Sequence, residues 1–143
     1  MSQQTDAAIT SPAATGAASR FDATTTFAVL RSAVGVGTWI SPKASYRTFG
    51  LGVMDDTPAN VLVARLFAVR ELLFGLGLKH PEPQVRRAVL QAGMVADSVD
   101  VVASLIALGK GAPKGTWAGF VLGASTFVAL GAVALAEEQN QVG

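Results

Sequence analysis

The chain has 143 residues, enough for one domain. Half of the residues are hydrophobic and only 15% are charged, whereas soluble domains carry about a quarter charged residues, so the composition favours a lipid environment. The net charge of +1 argues against nucleic-acid binding. The absence of cysteine excludes disulfides and thiolate catalysis, and His80 is the only histidine. We expect neither a metal nor a cofactor.

Residues 1–20 are rich in Ala, Ser and Thr and contain no hydrophobic block, which predicts a disordered tail. They lack the basic and apolar regions of a signal peptide, so membrane insertion would rely on internal segments. The first helical segment is predicted at about 24–40. It ends before Ser41-Pro42, because proline disfavours helix in the residue that precedes it.

Residues 41–51 are too short to cross a bilayer and mix basic with aromatic side chains, which predicts a short interfacial helix. The second segment is predicted at 58–78. It begins at Thr57-Pro58, where a good N-cap residue is followed by a proline suited to the first helical turn.

The third segment is predicted at 85–108 and the fourth at 116–136. The fourth runs for 21 positions without a charged side chain, about 30 Å of helix, which matches the hydrocarbon thickness of a bilayer. We therefore predict an all-α protein, a four-transmembrane-helix bundle over residues 21–138 with a short tail at 139–143. Lysine and arginine are divided four against four between the two membrane sides, so the orientation stays open.

The first three segments carry charged side chains near their middles, where each costs about 2.5–3.5 kcal/mol on insertion scales. The six residues are Arg31, Arg65, Arg70, Glu71, Asp97 and Asp100. Their formal charges sum to zero, so we predict an intramembrane ionic network. Positions along the helices suggest that Arg65 meets Asp100 and that Glu71 meets Arg31. Since the second segment carries charge around its circumference, we expect it at the centre of the bundle.

Two interpretations of this network stay open. In the first, the arginines neutralise the carboxylates and the cluster only fixes the packing of the helices. In the second, the ionisable groups carry protons, bind ions or contact a substrate, as intramembrane ionisable groups commonly do.

Gly115, Gly119 and Gly123 recur at intervals of four residues in the fourth segment. Small residues at this spacing let two helix backbones approach closely. We predict a helix-packing face, either within the bundle or against a second copy or a larger membrane complex.

Residues 64–78, ARLFAVRELLFGLGL, resemble the second span of a family of small four-span bacterial membrane proteins, a domain of unknown function similar in plan to DoxX-like proteins. Gly35, Pro42 and Asp97 also fit that layout, whereas Ala68 stands where the family has glycine. The resemblance implies a multi-pass bundle in a bacterial cytoplasmic membrane. It places Arg65, Arg70 and Glu71 first among the candidate site residues.

These observations lead to two functional hypotheses. The first is a small accessory or scaffolding subunit without catalysis of its own. The second is a proton- or ion-coupled carrier of a small solute that uses the ionic network. A quinone-linked oxidoreductase partner would rest on the DoxX-like analogy alone.

Overall fold

A computed structural model describes residues 22–111 and 114–140. These ranges contain no strand and form five helices: α1 (Ala23–Ile40), α2 (Pro42–Thr48), α3 (Pro58–Gly77), α4 (Pro83–Gly109) and α5 (Lys114–Asn140). The all-α prediction is therefore confirmed. The four long helices and the short one follow the predicted segments within a few residues, and α5 continues to Asn140. The predicted disordered tail at 1–20 lies outside the described residues.

Proline and capping residues set the helix boundaries. Pro42, Pro58 and Pro83 each stand in the first turn of their helix, where the missing N–H costs no hydrogen bond. The Thr57 hydroxyl accepts a hydrogen bond of 3.2 Å from the backbone N–H of Asn60, as expected for an N-cap. These local signals explain why the sequence predicts the boundaries well.

The long helices form two closely packed pairs, α1 with α3 and α4 with α5. Helix α1 also packs against α5 and α2, whereas α3 touches α4 only lightly. The expectation that α3 lies at the centre is therefore wrong, and α1 takes that place.

One face of α3 is left exposed and is apolar: Leu62, Val63, Leu66, Leu73 and Leu76. We call the end of the bundle that holds the start of α1 and the end of α5 the tail end; α2 lies at the other end.

Two glycines allow α1 and α3 to approach closely. A Cβ added at Gly35 would lie 2.8 Å from the carbonyl oxygen of Ala68, and one added at Gly75 would lie 2.9 Å from that of Ala28. Because both obstacles are backbone atoms, neither position can accept a side chain without moving a helix apart. No pattern in the sequence pairs these two glycines.

The predicted glycine face of α5 makes a close contact with the described part of the chain at one of its three glycines. A Cβ at Gly119 would lie 2.9 Å from the Leu51 side chain in the loop before α3. At Gly115 and Gly123 an added Cβ would meet nothing within 4 Å. The face therefore packs against a loop at one point and against no helix of the described chain at the other two.

Helix α2 is anchored to the rest of the chain through Tyr46. Its ring packs edge-on against Phe120 of α5, with 5.9 Å between ring centroids. Burial raises the pKa of the Tyr46 phenol above its ordinary value. Lys43 extends from α2 to Asp56, 2.6 Å away, in a solvent-exposed ion pair.

Among the described residues, two helical segments are long and apolar enough to cross a membrane, Pro83–Gly109 and Ala118–Gln139. Their most apolar stretches are only 17% and 11% buried within the protein. An apolar helix in the core of a soluble protein would instead be mostly buried. Length and composition thus support two of the four predicted spans.

Candidate functional site

Arg31, at the middle of α1, lies at the centre of a group of almost fully buried charged side chains. Its side chain is 1% exposed, and its partners Glu71 and Asp97 are 0% and 1% exposed. The Arg31 Nη1 donates to Glu71 Oε2 at 2.6 Å, and its Nη2 donates to Asp97 Oδ2. One guanidinium thus joins α1, α3 and α4. The contact between Arg31 and Glu71 is the one that depth along the helices predicts.

Aromatic rings enclose the same guanidinium. The Arg31 Cζ lies 4.5 Å from the ring centroid of Phe27, 4.8 Å from Phe127 and 5.2 Å from Phe74. These distances permit cation–π attraction, which strengthens where water is excluded. Phe127 brings α5 into contact with the site, although α5 contributes no charge there. Nothing in the spacing of these rings along the sequence indicates that they meet.

A glycine on α4 makes room for the guanidinium. A Cβ added at Gly93 would lie 3.1 Å from Arg31 Nη2. Gly93, Asp97 and Ser104 are all buried on one face of α4, as intervals of four and seven residues on a helix require.

Arg70 forms the second centre of the network. Its Nη2 lies 2.6 Å from Asp100 Oδ2, 3.2 Å from Glu71 Oε1 and 3.9 Å from Asp97 Oδ1. The Arg70 and Asp100 side chains are 29% and 36% exposed. The network is therefore closed around Arg31 and open at the Arg70–Asp100 edge, between α3 and α4.

Arg65 lies outside this cluster. Its guanidinium lies over the Trp39 ring, 5.6 Å from the centroid, and the side chain is exposed. The expected pairing of Arg65 with Asp100 is wrong, because Asp100 pairs with Arg70. Arg65 and Arg70 point about 140° apart on an ideal helix, and the packing of α3 turned Arg70, not Arg65, toward α4.

A second ionic cluster, which was not predicted from the sequence, lies at the tail end. Arg86 donates to both carboxylate oxygens of Glu138, at 2.7 and 3.0 Å, and Arg87 donates to the Glu138 carbonyl at 2.8 Å. The Glu137 carboxylate accepts from the backbone N–H of Ala23 at the start of α1. The sequence does contain a pattern that indicates this cluster. Two adjacent arginines lie near the start of α4, and two adjacent glutamates lie near the end of its antiparallel neighbour α5.

The chemistry available to the central network is ionic. Within residues 22–111 and 114–140, no three His, Asp or Glu side chains are grouped so that they could hold a metal ion. The groups present can neutralise one another, hold a proton or bind a small ion through the Arg70–Asp100 edge.

Residues 64–78, which resemble the DoxX-like second span, contribute to helix contacts as well as to the ionic network. Ala68 is fully buried where α1 crosses α3, and a Cβ at Gly77 would lie 2.9 Å from the Val89 side chain of α4. The likeness to DoxX-like proteins stays a prediction, since no protein-family model, curated protein or solved structure matches the chain.

Proposed function

We propose that this protein is a four-span integral membrane protein of the bacterial cytoplasmic membrane that acts as a non-catalytic accessory or scaffolding subunit. Its central ionic network would hold α1, α3 and α4 together within the bilayer. The single observation that carries the proposal is an inverted distribution of side chains, in which ionisable groups are buried at the centre and many large hydrophobic side chains are exposed.

The exposed fractions of the side chains document this inversion. The four largest side chains with less than 2% exposure are Arg31, Leu90, Glu71 and Asp97, so three of the four are ionisable. Large hydrophobic side chains are exposed along α1, α3, α4 and α5 instead, among them Val36, Leu66, Leu73, Val99, Leu105 and Leu122. A water-soluble monomer rarely exposes such continuous apolar surface, whereas a bilayer covers it.

The same distribution supports membrane crossing by α1 and α3, which composition alone does not indicate. Their 18 and 20 residues extend about 27 and 30 Å, close to the hydrocarbon thickness. Arg31 and Glu71 would be costly toward lipid, but each is enclosed by oppositely charged partners. Arg65 lies about two helical turns after the start of α3, near the end of the bundle that holds α2. From this depth the long arginine side chain can extend to the lipid headgroups.

The first test is fractionation. The expressed chain should sediment with salt-washed membranes and dissolve only on addition of detergent. Recovery in the supernatant of a salt-washed lysate without detergent would refute the membrane proposal. A defined complex after mild-detergent purification from the native cell would support the accessory role, and a lone oligomer would count against it.

A proton- or ion-coupled carrier is the second candidate, and the open Arg70–Asp100 edge favours it. The variant Asp97→Asn separates the two. For an accessory subunit the variant should lower the amount of folded protein, and function should fall only in proportion. For a carrier it should accumulate normally yet lose proton or solute flux in liposomes. Asp56→Asn is the matched control, since it removes an exposed carboxylate outside the network.

A further inference from the structure

The ionic network contains more negative than positive groups. Helix α1 contributes one cation, α3 contributes one cation and one carboxylate, and α4 contributes two carboxylates: Arg31, Arg70, Glu71, Asp97 and Asp100. Helix α5 has no charged residue between positions 115 and 136. With every carboxyl ionised, the network would carry one uncompensated negative charge.

Among the described residues, no cation other than Arg31 and Arg70 forms an ion pair with these carboxylates. Arg65, which would complete three opposite pairs, lies over Trp39. Arg86 is paired with Glu138. It lies eleven residues before Asp97 in α4, about 16 Å away along the helix axis. An unpaired charge enclosed by protein and lipid is strongly unfavourable, and a carboxylate in that position takes up a proton instead.

The geometry also shows where the excess negative charge lies. Arg31 bonds one oxygen of Glu71 and one of Asp97. The remaining oxygens of both residues face Arg70 Nη2 together with Asp100, at 3.2, 3.9 and 2.6 Å. The Arg70 Nε also donates to Glu71 Oε1, at 3.3 Å. The single positive charge of Arg70 thus faces three carboxylates, which it cannot neutralise alone.

We propose that this network binds one exchangeable proton in place of the missing third cation. The three carboxylates converge on Arg70, so we assign the proton to the cluster and not to one residue. It enters and leaves at the Arg70–Asp100 edge, where the network is open between α3 and α4. Glu71 and Asp97, fully buried behind that edge, have no direct contact with the surroundings.

This inference rests on the proposed membrane placement, because lipid around the helices removes the water that would screen the excess charge. It holds for an accessory subunit and for a carrier alike. In an accessory subunit the proton is a structural component; in a carrier it is the coupling ion.

Infrared spectroscopy of the full chain in detergent micelles tests the proposal. At neutral pH the wild-type protein should show the deuterium-sensitive carbonyl stretch of one protonated carboxyl group. Asp100→Asn leaves two guanidinium groups facing two carboxylates, so the band should disappear. Asp97→Asn should abolish it for the same reason. Asp56→Asn, which removes an exposed carboxylate paired with Lys43, should leave the band intact.

A wild-type protein that is helical by circular dichroism but lacks the band would overturn the inference, whether or not the variants fold. So would a band that persists in both Asp100→Asn and Asp97→Asn, or one that appears only when sodium is withdrawn, since a metal ion would then occupy the site. Fractionation tests the membrane placement independently. A membrane-bound chain without the band refutes only the proton, whereas a soluble chain refutes the placement.

Discussion

Replacement of Arg31 by methionine tests whether the buried network determines the stability of the bundle. Methionine keeps most of the length and apolar stem of arginine but removes the guanidinium. Glu71 and Asp97, at 0% and 1% exposure, then each lose a hydrogen-bonded cation. Removal of one partner from a buried ion pair costs about 3–5 kcal/mol, because the remaining charge is left unpaired. Asp97 loses its hydrogen-bonded cation, whereas Glu71 keeps its contact with Arg70, so we expect a loss within that range.

A loss of this size is a large share of the ~5–15 kcal/mol by which folded proteins are typically stable. The measurement is the free energy of unfolding in mixed micelles, obtained by titration with a denaturing detergent and followed by circular dichroism. Lys43→Met is the matched control. It breaks the Lys43–Asp56 pair, whose side chains are 51% and 63% exposed, and exposed pairs contribute only ~0–1 kcal/mol.

A triple variant separates charge from packing. When Arg31→Met is combined with Glu71→Gln and Asp97→Asn, no unpaired charge remains at the centre, and the triple variant should be more stable than Arg31→Met alone. The reasoning is refuted if Arg31→Met unfolds within about 1 kcal/mol of the wild type, since an unpaired buried carboxylate must cost more. It is also refuted if the triple variant is the least stable of the set.

Four further variants probe other contacts, three of them in the same assay and Glu138→Gln by amide hydrogen exchange. Gly75→Ala should destabilise by about 1–3 kcal/mol, because its methyl group meets backbone atoms of α1, whereas Gly123→Ala, with open space around it, should cost nothing. Glu138→Gln removes the carboxylate that holds Arg86, so amide hydrogen exchange at the end of α5 should accelerate while that of α1 stays unchanged. Arg65→Leu should leave the unfolding free energy within about 1 kcal/mol of the wild type, since Arg65 lies outside the network; a larger loss would show that its contact with Trp39 is structural.

Local signals in the sequence determined the secondary structure. Proline after a capping residue at Thr57-Pro58 marks the start of α3, and the proline after Ser41 marks the end of α1. Such signals act within one helical turn, so they can be recognised without knowledge of the rest of the chain. The same holds for the shared face of Gly93, Asp97 and Ser104, because helical periodicity alone sets it.

The sequence also indicated that buried charges must be paired, since their cost is a property of each side chain. Depth along the helices indicated the contact of Arg31 with Glu71, but it did not determine the partner of Asp100. Arg65 and Arg70 are equivalent by composition, and only the rotation of α3 against α1, fixed by the close approach at Gly35 and Gly75, turned Arg70 toward Asp100. That rotation depends on contacts between residues 40 positions apart in the chain, such as Arg31 and Glu71, and it left the network with one carboxylate too many. The sequence by itself specified the helices and the need for charge pairing; the packing of the helices decided which charges meet.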